Sequence, residues 1–454
     1  MSRVSPPPES FDLEVETLVI GAGAGGLVAA LAATERGEEV LVVEADAVPS
    51  GSTALSAGLI PAAGTRIQQA AGIEDSPEIF AGDIQNKAHG ENDPRLVDSM
   101  ARVSAQVIDW LSDTHHLPFS VVTDFDYPGH SRRRMHGLPT RSGRELVDAL
   151  REAAERAGID IICERRAVEL FADGQEIRGV RVERPDGGSE TIACQRLILA
   201  CNGFGGNRDM VARLIPDIRD ALWFGHDGNR GEAIEWGDEL GAQTGHLASY
   251  QGHGNVAHPH GILITWAVIM EGGVQVNLNG DRFWNESQGY SEAARMVLSQ
   301  PEGVAFAIFD ERIAGIARQF ADFQQAEAQG AIRRADDVSE LAKVTGLPED
   351  ALSRSLSDIP TEGKDGFGRP WHGEKLQPPF AAVKVTGALF HTQGGLIVDP
   401  ENARVLHRSG APFNNLYAVG GAACGVSGEG DSGYLSGNGL LSAVTQGWLA
   451  GRAG

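Results

Sequence analysis

The stretch that decides the fold runs from Thr17 to Glu44, TLVIGAGAGGLVAALAATERGEEVLVVE. Glu14 to Ile20 reads as a short β-rich strand that runs directly into Gly21-Ala-Gly-Ala-Gly-Gly26, and the Ala-rich LVAALAATERG after it has a helical pattern. Strand, tight turn and helix in that order suit a dinucleotide. Gly21 lets the chain turn, Gly23 lets backbone approach a pyrophosphate, and Gly26 lets helix and strand pack closely while the helix N-terminus faces the phosphate charge. Gly37 stops the helix, and Glu39 to Val43 reads as the second strand. Glu44 then stands where a carboxylate accepts hydrogen bonds from ribose hydroxyls and disfavours a 2′-phosphate. NAD and FAD fit this half-site equally well.

A chain of 454 residues exceeds one ordinary hydrophobic core, so two lobes are expected. Acidic residues exceed basic ones by 24, a field that repels phosphate backbones and anionic lipid headgroups and argues against nucleic-acid and membrane-surface roles. Cys163, Cys194, Cys201 and Cys424 form no CxxC pair and no CxxCH haem attachment, which suits reduced, inert thiols and a cytoplasmic location. No run of eighteen apolar residues occurs, so no membrane span is expected. Ser5 to Ser10, with three prolines, reads as a loose tail.

Three later segments favour FAD over NAD. Ser50-Gly-Ser-Thr-Ala-Leu-Ser-Ala-Gly58 offers small side chains and hydroxyls to a pyrophosphate or a flavin edge. Arg196 to Gly206, RLILACNGFGG, reads as a buried strand ending in a glycine turn, and Leu416 to Gly421, LYAVGG, repeats that shape. Together with GGVQVNLNGDRFWNES from Gly272, HTQGGLIVD from His391 and the glycine-rich tail from Gly420, these pieces resemble the flavoprotein family of fumarate reductases, succinate dehydrogenases and 3-ketosteroid dehydrogenases. The resemblance covers nearly the whole chain. It implies an α/β fold in which a Rossmann-type FAD-binding domain (residues 1–249 and 375–454) is interrupted by an α+β capping, substrate-handling domain (residues 250–374). It places FAD contacts at Gly21, Gly23, Ala24, Gly25, Gly26, Glu44 and Ala45, and at Ser52, Thr53, Ser56, Ala57 and Gly58. Further contacts are implied at Val168 beside Ala167, at Ala200 and Gly203, and at Gly420, Asn438, Gly439 and Leu440. Members that attach the flavin covalently carry a histidine where this chain has Ser52, so FAD is expected to be non-covalent. With no haem or iron–sulfur ligands in the chain, the implied electron partner is an external donor or acceptor.

The same resemblance sets the candidate chemistry. Fumarate-reducing members hold a dicarboxylate with arginines and histidines, and Arg282 and His391 resemble a proton-donor arginine and a substrate-binding histidine. The clamping arginine is replaced by Tyr434, and a neutral phenol does not clamp a carboxylate as a bidentate guanidinium does. Tyr434 resembles the residue that hydrogen-bonds the ketone in the ketosteroid branch, Tyr290 resembles the tyrosine that removes the proton beside the carbonyl, and Tyr127 resembles its assistant. Only five tyrosines occur in the chain, so three at matching places point to that branch. A phenol of pKa near 10 is a poor base unless its phenolate is stabilised, which gives Tyr127 a purpose.

Alternative readings stand beside these. Arg282 and Glu286 also suit a structural ion pair; Tyr250 and Tyr417 suit packing; His253, His258 and His260 suit substrate contact or a plain loop better than a metal, and no metal is expected. Arg132-Arg-Arg134 reads as a solvated loop rather than a phosphate site. The expected function is flavin-dependent dehydrogenation, or the reverse, of a CH–CH bond beside a ketone in a steroid-like or smaller cyclic substrate. The competing expectations are a fumarate-reductase-like ene-reductase of an unsaturated carboxylate and, from another class, a non-catalytic or tRNA-associated flavoprotein, which the acidic charge disfavours.

Overall fold

A computed structural model describes residues 3–123, 127–373 and 375–454. The chain divides into two compact units: Met1–Leu214, Gly225–Tyr250 and His391–Gly454 form the first, Ile215–Phe224 and Gln251–Phe390 the second. The boundary read from the sequence at Glu374 lies outside the described residues, and the second unit runs on to Phe390.

In the first unit the opening motif becomes β1 (Leu13–Ile20), α1 (Ala24–Thr34) and β2 (Val40–Val43). β1 lies parallel between β2 and β3 (Ser189–Leu199), with Leu18 opposite both Leu41 and Leu197. Strand Asp160–Ile162 continues the parallel sheet beyond β2, and strand Pro412–Ala418 pairs with the end of β3, Leu416 opposite Leu197. Strands buried on both faces need apolar side chains throughout, which accounts for the unbroken VLVV of β2.

α1 is buried from Ala24 to Ala33, and its partner is the C-terminal helix Asn438–Arg452. The two backbones approach directly. A Cβ on Gly447 would stand 2.5 Å from the Gly25 carbonyl oxygen, and one on Gly451 would stand 2.4 Å from that of Ala29. Small residues at these crossings bring the last helix of the chain against the first. The chain start departs from the loose tail expected: Val4 and Ser5 pair in parallel with Leu170 and Phe171, and the Ser5 hydroxyl donates to Glu169.

The second unit is built on a mixed sheet around the long strand Phe380–Thr392, which pairs antiparallel with Val304–Asp310 and Ile332–Ala335. Trp266, Trp284, Phe309 and Phe323 fill its core. Both units combine helices with sheet, an α/β organisation. Among the described residues no helix is long and apolar enough to cross a membrane.

The arginine run corrects the sequence reading. Arg132 is exposed, but Arg134 is 1 % exposed, its Nε 2.9 Å from Asp75 and its Nη1 2.7 Å from Asp83. The side chain also lies over Phe80, with Cζ 4.6 Å from the ring centroid. Burial of a cation is tolerated because both carboxylates are in place, a condition no local pattern in the sequence announces. Arg134→Ala leaves Asp75 buried and unpaired and should cost about 3–5 kcal/mol. Arg132→Ala should change stability by less than about 0.5 kcal/mol. Urea unfolding of the two variants checks both values.

Candidate functional site: a dinucleotide cleft and its polar edge

The glycine turn opens one wall of a cleft within the first unit, lined by Gly21, Gly23, Glu44, Ser52, Asn202 and Gly420. Gly21 has φ +105°, and a Cβ there would meet the Ala200 carbonyl oxygen at 2.5 Å. Gly26 is as constrained: its Cβ would lie 1.9 Å from the Gly21 oxygen, so helix and turn close on each other only with glycine there. Gly23 begins α1 with no side chain to cap it; Thr53 Oγ1 accepts from the Ala24 N–H at 3.0 Å, and the next N–H groups of the first turn are left for an anionic ligand. Glu44 is held by the backbone N–H groups of Ala22 at 2.7 Å and Asp46 at 3.0 Å, with its carboxylate at the cleft wall. The chemistry of this wall fits the ADP half of a dinucleotide: first-turn N–H groups for pyrophosphate, and a fixed carboxylate for ribose.

Of the residues anticipated from the sequence, Gly21, Gly23, Ala24, Gly25, Glu44, Ala45, Ser52, Thr53, Ala200 and Gly420 line this cleft. Gly26, Ser56, Ala57, Gly58, Val168, Gly203, Asn438, Gly439 and Leu440 lie outside its wall. Several of these have packing reasons for their identity. A Cβ on Gly58 would strike the Ser142 carbonyl at 2.6 Å, and one on Gly203 would meet the Thr392 hydroxyl at 2.1 Å.

Some lining groups escaped the sequence reading. Ser52 Oγ accepts from the Nδ2 groups of both Asn202 (2.8 Å) and Asn229 (2.9 Å), and Asn202 holds a left-handed φ of +65°. Trp236 is 1 % exposed with its indole N–H lacking an acceptor, a buried donor on the wall of the site. His226 also lines the cleft, paired with Asp46 at 2.8 Å. Of these, only Asn202, beside the glycine turn of RLILACNGFGG, carried a local signal.

A second polar group gathers near the start of the C-terminal helix. The His391 ring meets the Tyr434 ring edge to face at 5.4 Å, and Gly439 packs closely on the imidazole, where a Cβ would stand 3.1 Å from Cε1 and 3.3 Å from Nε2. Gln393 Nε2 donates to His391 Nδ1 at 2.7 Å, Ser427 Oγ donates to Gln393 Oε1 at 3.0 Å, and Asn438 Nδ2 donates to Ser427 Oγ at 3.0 Å. Burial pushes the His391 pKa down to about 4, so the ring is neutral at physiological pH. His130, similarly pushed to about 4 by burial, donates to the Ser436 carbonyl at 2.9 Å. Tyr127 packs with Leu59, Val122 and Met135 in the first unit, while Phe125 and Asp126 of its motif lie outside the described residues.

In the second unit Tyr290 opens helix Tyr290–Leu298 and stacks on His253 at 5.3 Å; His253 stacks in turn on Phe390 at 5.5 Å, and Phe390 on Phe224 at 5.0 Å. Burial pushes His253 down to about 3, so this column carries no imidazolium. Arg282 belongs to a balanced ionic cluster. Its guanidinium lies 2.6 Å from Glu286 and 2.8 Å from Asp365, Arg369 reaches Glu286 at 3.2 Å, and Phe367 and Trp371 flank the charge. Burial disfavours the Arg282 charge, but the two carboxylates outweigh it and raise its pKa. Tyr250 and Tyr417 are buried, Tyr250 with its hydroxyl 3.4 Å from Asp431.

Ser52→Ala removes the oxygen that the Asn202 and Asn229 amides share and should leave both donors without that partner. A loss of about 1–3 kcal/mol at the cleft wall follows, so the Kd for FAD should rise roughly 5- to 150-fold. Fluorescence titration of apoprotein with FAD measures it, and an unchanged Kd would contradict a cofactor role for this trio.

Comparison with known proteins agrees with the geometry. The model of the FAD binding domain family matches residues 16–440. A protein described as a probable fumarate reductase of Shewanella frigidimarina is 32% identical over 446 residues, covering 96% of this chain and 74% of that protein. The solved open conformation of a flavocytochrome c3 fumarate reductase superposes with a TM-score of 0.83 at 30% identity, over 98% of this chain and 78% of the other. A 3-ketosteroid-Δ4-(5α)-dehydrogenase from Rhodococcus jostii, solved with 4-androstene-3,17-dione, gives 0.80 at 25% identity over 99% of both chains. The chain therefore belongs to the FAD binding domain family that contains fumarate reductases and ketosteroid dehydrogenases, and it is a flavin-dependent oxidoreductase.

Proposed function

We propose that this flavoprotein dehydrogenates, or in reverse reduces, a CH–CH bond next to a ketone in a steroid-like or smaller cyclic substrate. The observation that carries this reading is the pairing of two uncharged groups, the Tyr434 phenol and the His391 ring it touches, which burial holds neutral; the resemblance puts Tyr434 where fumarate-reducing members keep a clamping arginine. Neutral donors suit a ketone oxygen; a dicarboxylate calls for cations.

Bound FAD supplies the two-electron hydride acceptor. Ionised Tyr290 accepts the proton from the carbon beside the carbonyl, while the next carbon gives up hydride, so the substrate loses two hydrogens and two electrons. Enolate charge grows on the ketone oxygen in between. Tyr434 offsets it by donating its hydroxyl proton in a hydrogen bond, with His391 as a second donor. The sequence resemblance gives Tyr127 the part of assisting that proton removal. FAD is held without a covalent bond, since Ser52 stands at the attachment position with its oxygen engaged by Asn202 and Asn229. Electrons then pass to or from an external carrier.

Reduction of an unsaturated carboxylate with Arg282 as proton donor is the second reading, favoured by the fumarate reductase relatives. Against it stands the raised pKa of Arg282 between two carboxylates, which makes it a poor acid.

Anaerobic mixing with cyclohexanone, a 3-ketosteroid and succinate separates the two by bleaching of the flavin. A ketone is expected to bleach it and succinate to leave it yellow. Tyr290→Phe should slow bleaching about 10²-fold or more, and Tyr434→Phe about 10²-fold. Wild-type rates in both variants, or bleaching by succinate alone, would overturn the tyrosine mechanism. Acid precipitation should leave all yellow colour in the supernatant; colour in the pellet would refute non-covalent attachment.

A further inference from the structure

The hydrogen-bonded chain from Asn438 to His391 has a direction, and the direction decides what His391 offers. Its links are amide to hydroxyl, hydroxyl to amide, and amide to imidazole, at 3.0, 3.0 and 2.7 Å. Such a chain runs throughout in one of two senses, because an arrangement with Ser427 accepting from both amides would leave its hydroxyl proton without an acceptor among the described residues. Run outward from Asn438, every link is an N–H or O–H donating to an oxygen or nitrogen, and His391 Nδ1 receives the last bond. Run backward, His391 Nδ1–H donates to Gln393 and every amide is turned over.

The buried end distinguishes the two senses. Asn438 is fully buried, and its second amide atom has no partner. In the outward sense that atom is Oδ1, an acceptor; in the backward sense it is an NH₂ group. Buried N–H groups without acceptors are the rarer defect, so the outward sense is favoured. Gln393 and Ser427 are themselves buried and held in the fold: the Gln393 backbone N–H donates to the Ser249 carbonyl at 2.8 Å, and its own carbonyl accepts from the Gly425 N–H at 2.9 Å. The amide that faces the imidazole is therefore fixed in place. Nδ1 also stands 3.4 Å from the Thr392 carbonyl, a far longer contact than the 2.7 Å one to the Gln393 amide, while Nε2 has no acceptor among the described residues and lies against Gly439, which brings no side chain to it.

We propose that Gln393, set by Ser427 and Asn438, is a positioning residue that keeps the single ring proton of His391 on Nε2, so that His391 presents a hydrogen-bond donor to a neutral carbonyl acceptor. With Nδ1 occupied, His391 has no free lone pair, so it offers a substrate carbonyl only a donor and rejects a group that must itself donate at that position. This role for His391 rests on the ketone reading above, whereas the placement of its proton does not.

Glutamate at position 393 is the reversing substitution. A carboxylate has no proton to give Nδ1 and draws one onto it. The experiment is ¹⁵N NMR of the FAD-loaded protein with ring-labelled histidine, His391 being assigned by the signal lost in His391→Asn. The wild type should show the Nε2–H tautomer, and Gln393→Glu the Nδ1–H form. With a ketone substrate, Gln393→Glu should lower kcat about tenfold or more with a smaller change in KM. Ser427→Ala, which leaves the Gln393 amide in place but unset, should give a mixture of tautomers and serves if the glutamate variant fails to fold. A wild-type ring protonated on Nδ1, or an Nε2–H tautomer unmoved in both variants, would overturn the proposal. An Nε2–H tautomer that switches as described in an enzyme inactive on every ketone would uphold the relay and sink the ketone reading instead.

Discussion

Everything in the cofactor half of the molecule depends on a single close approach: the start of α1 against the turn that precedes it, where the Gly26 Cα faces the Gly21 carbonyl with no room for a methyl group. That contact lays the helix N-terminus along the cleft, with the Ala24 N–H taken by Thr53. It also brings α1 near enough to the sheet for the C-terminal helix to cross it at Gly25, where Gly447 allows backbone to meet backbone. Asn438, the buried end of the polar edge, opens that last helix. One steric constraint near residue 26 thereby bears on the placement of a side chain more than four hundred positions later.

The two units handle charge differently from what a carboxylate-reducing site requires. In the second unit, two arginines and two carboxylates cancel in a buried cluster bounded by Trp371 and Phe367. Arg369 ties down backbone as well as balancing Glu286, since it donates to the Gly273 and Ile269 carbonyls. In the first unit, His391, His130 and His136 are all held neutral by burial. Polar recognition then rests on hydrogen-bond direction, and direction is set by amide and hydroxyl neighbours.

The parts legible in the sequence are those whose physics is local. Gly21, Gly23, Gly26 and Glu44 announce themselves because turn, helix start and terminal acid lie within 24 residues of one another, and the spacing alone reports the geometry. The strands of the parallel sheet were readable for the same reason. Asn229, Trp236 and Gln393 were not, because each matters through a partner distant in the chain: Asn229 through Ser52, Trp236 through the cleft wall, Gln393 through Ser427 and His391. Arg134 was misread as solvated because its burial is decided by Asp75 and Asp83, about fifty to sixty residues earlier. Ser5 likewise looked loose only until its parallel pairing with Phe171 was in view.

A polar edge of neutral donors should bind an enolate-like oxygen and refuse a dicarboxylate. Difference absorbance of the oxidised flavin, titrated with a phenol as a mimic of the enolate and with malonate as a mimic of a dicarboxylate substrate, separates the two. A saturable spectral change with the phenol that Tyr434→Phe weakens, and none with malonate, is expected. Tight malonate binding with no response to the phenol would contradict it.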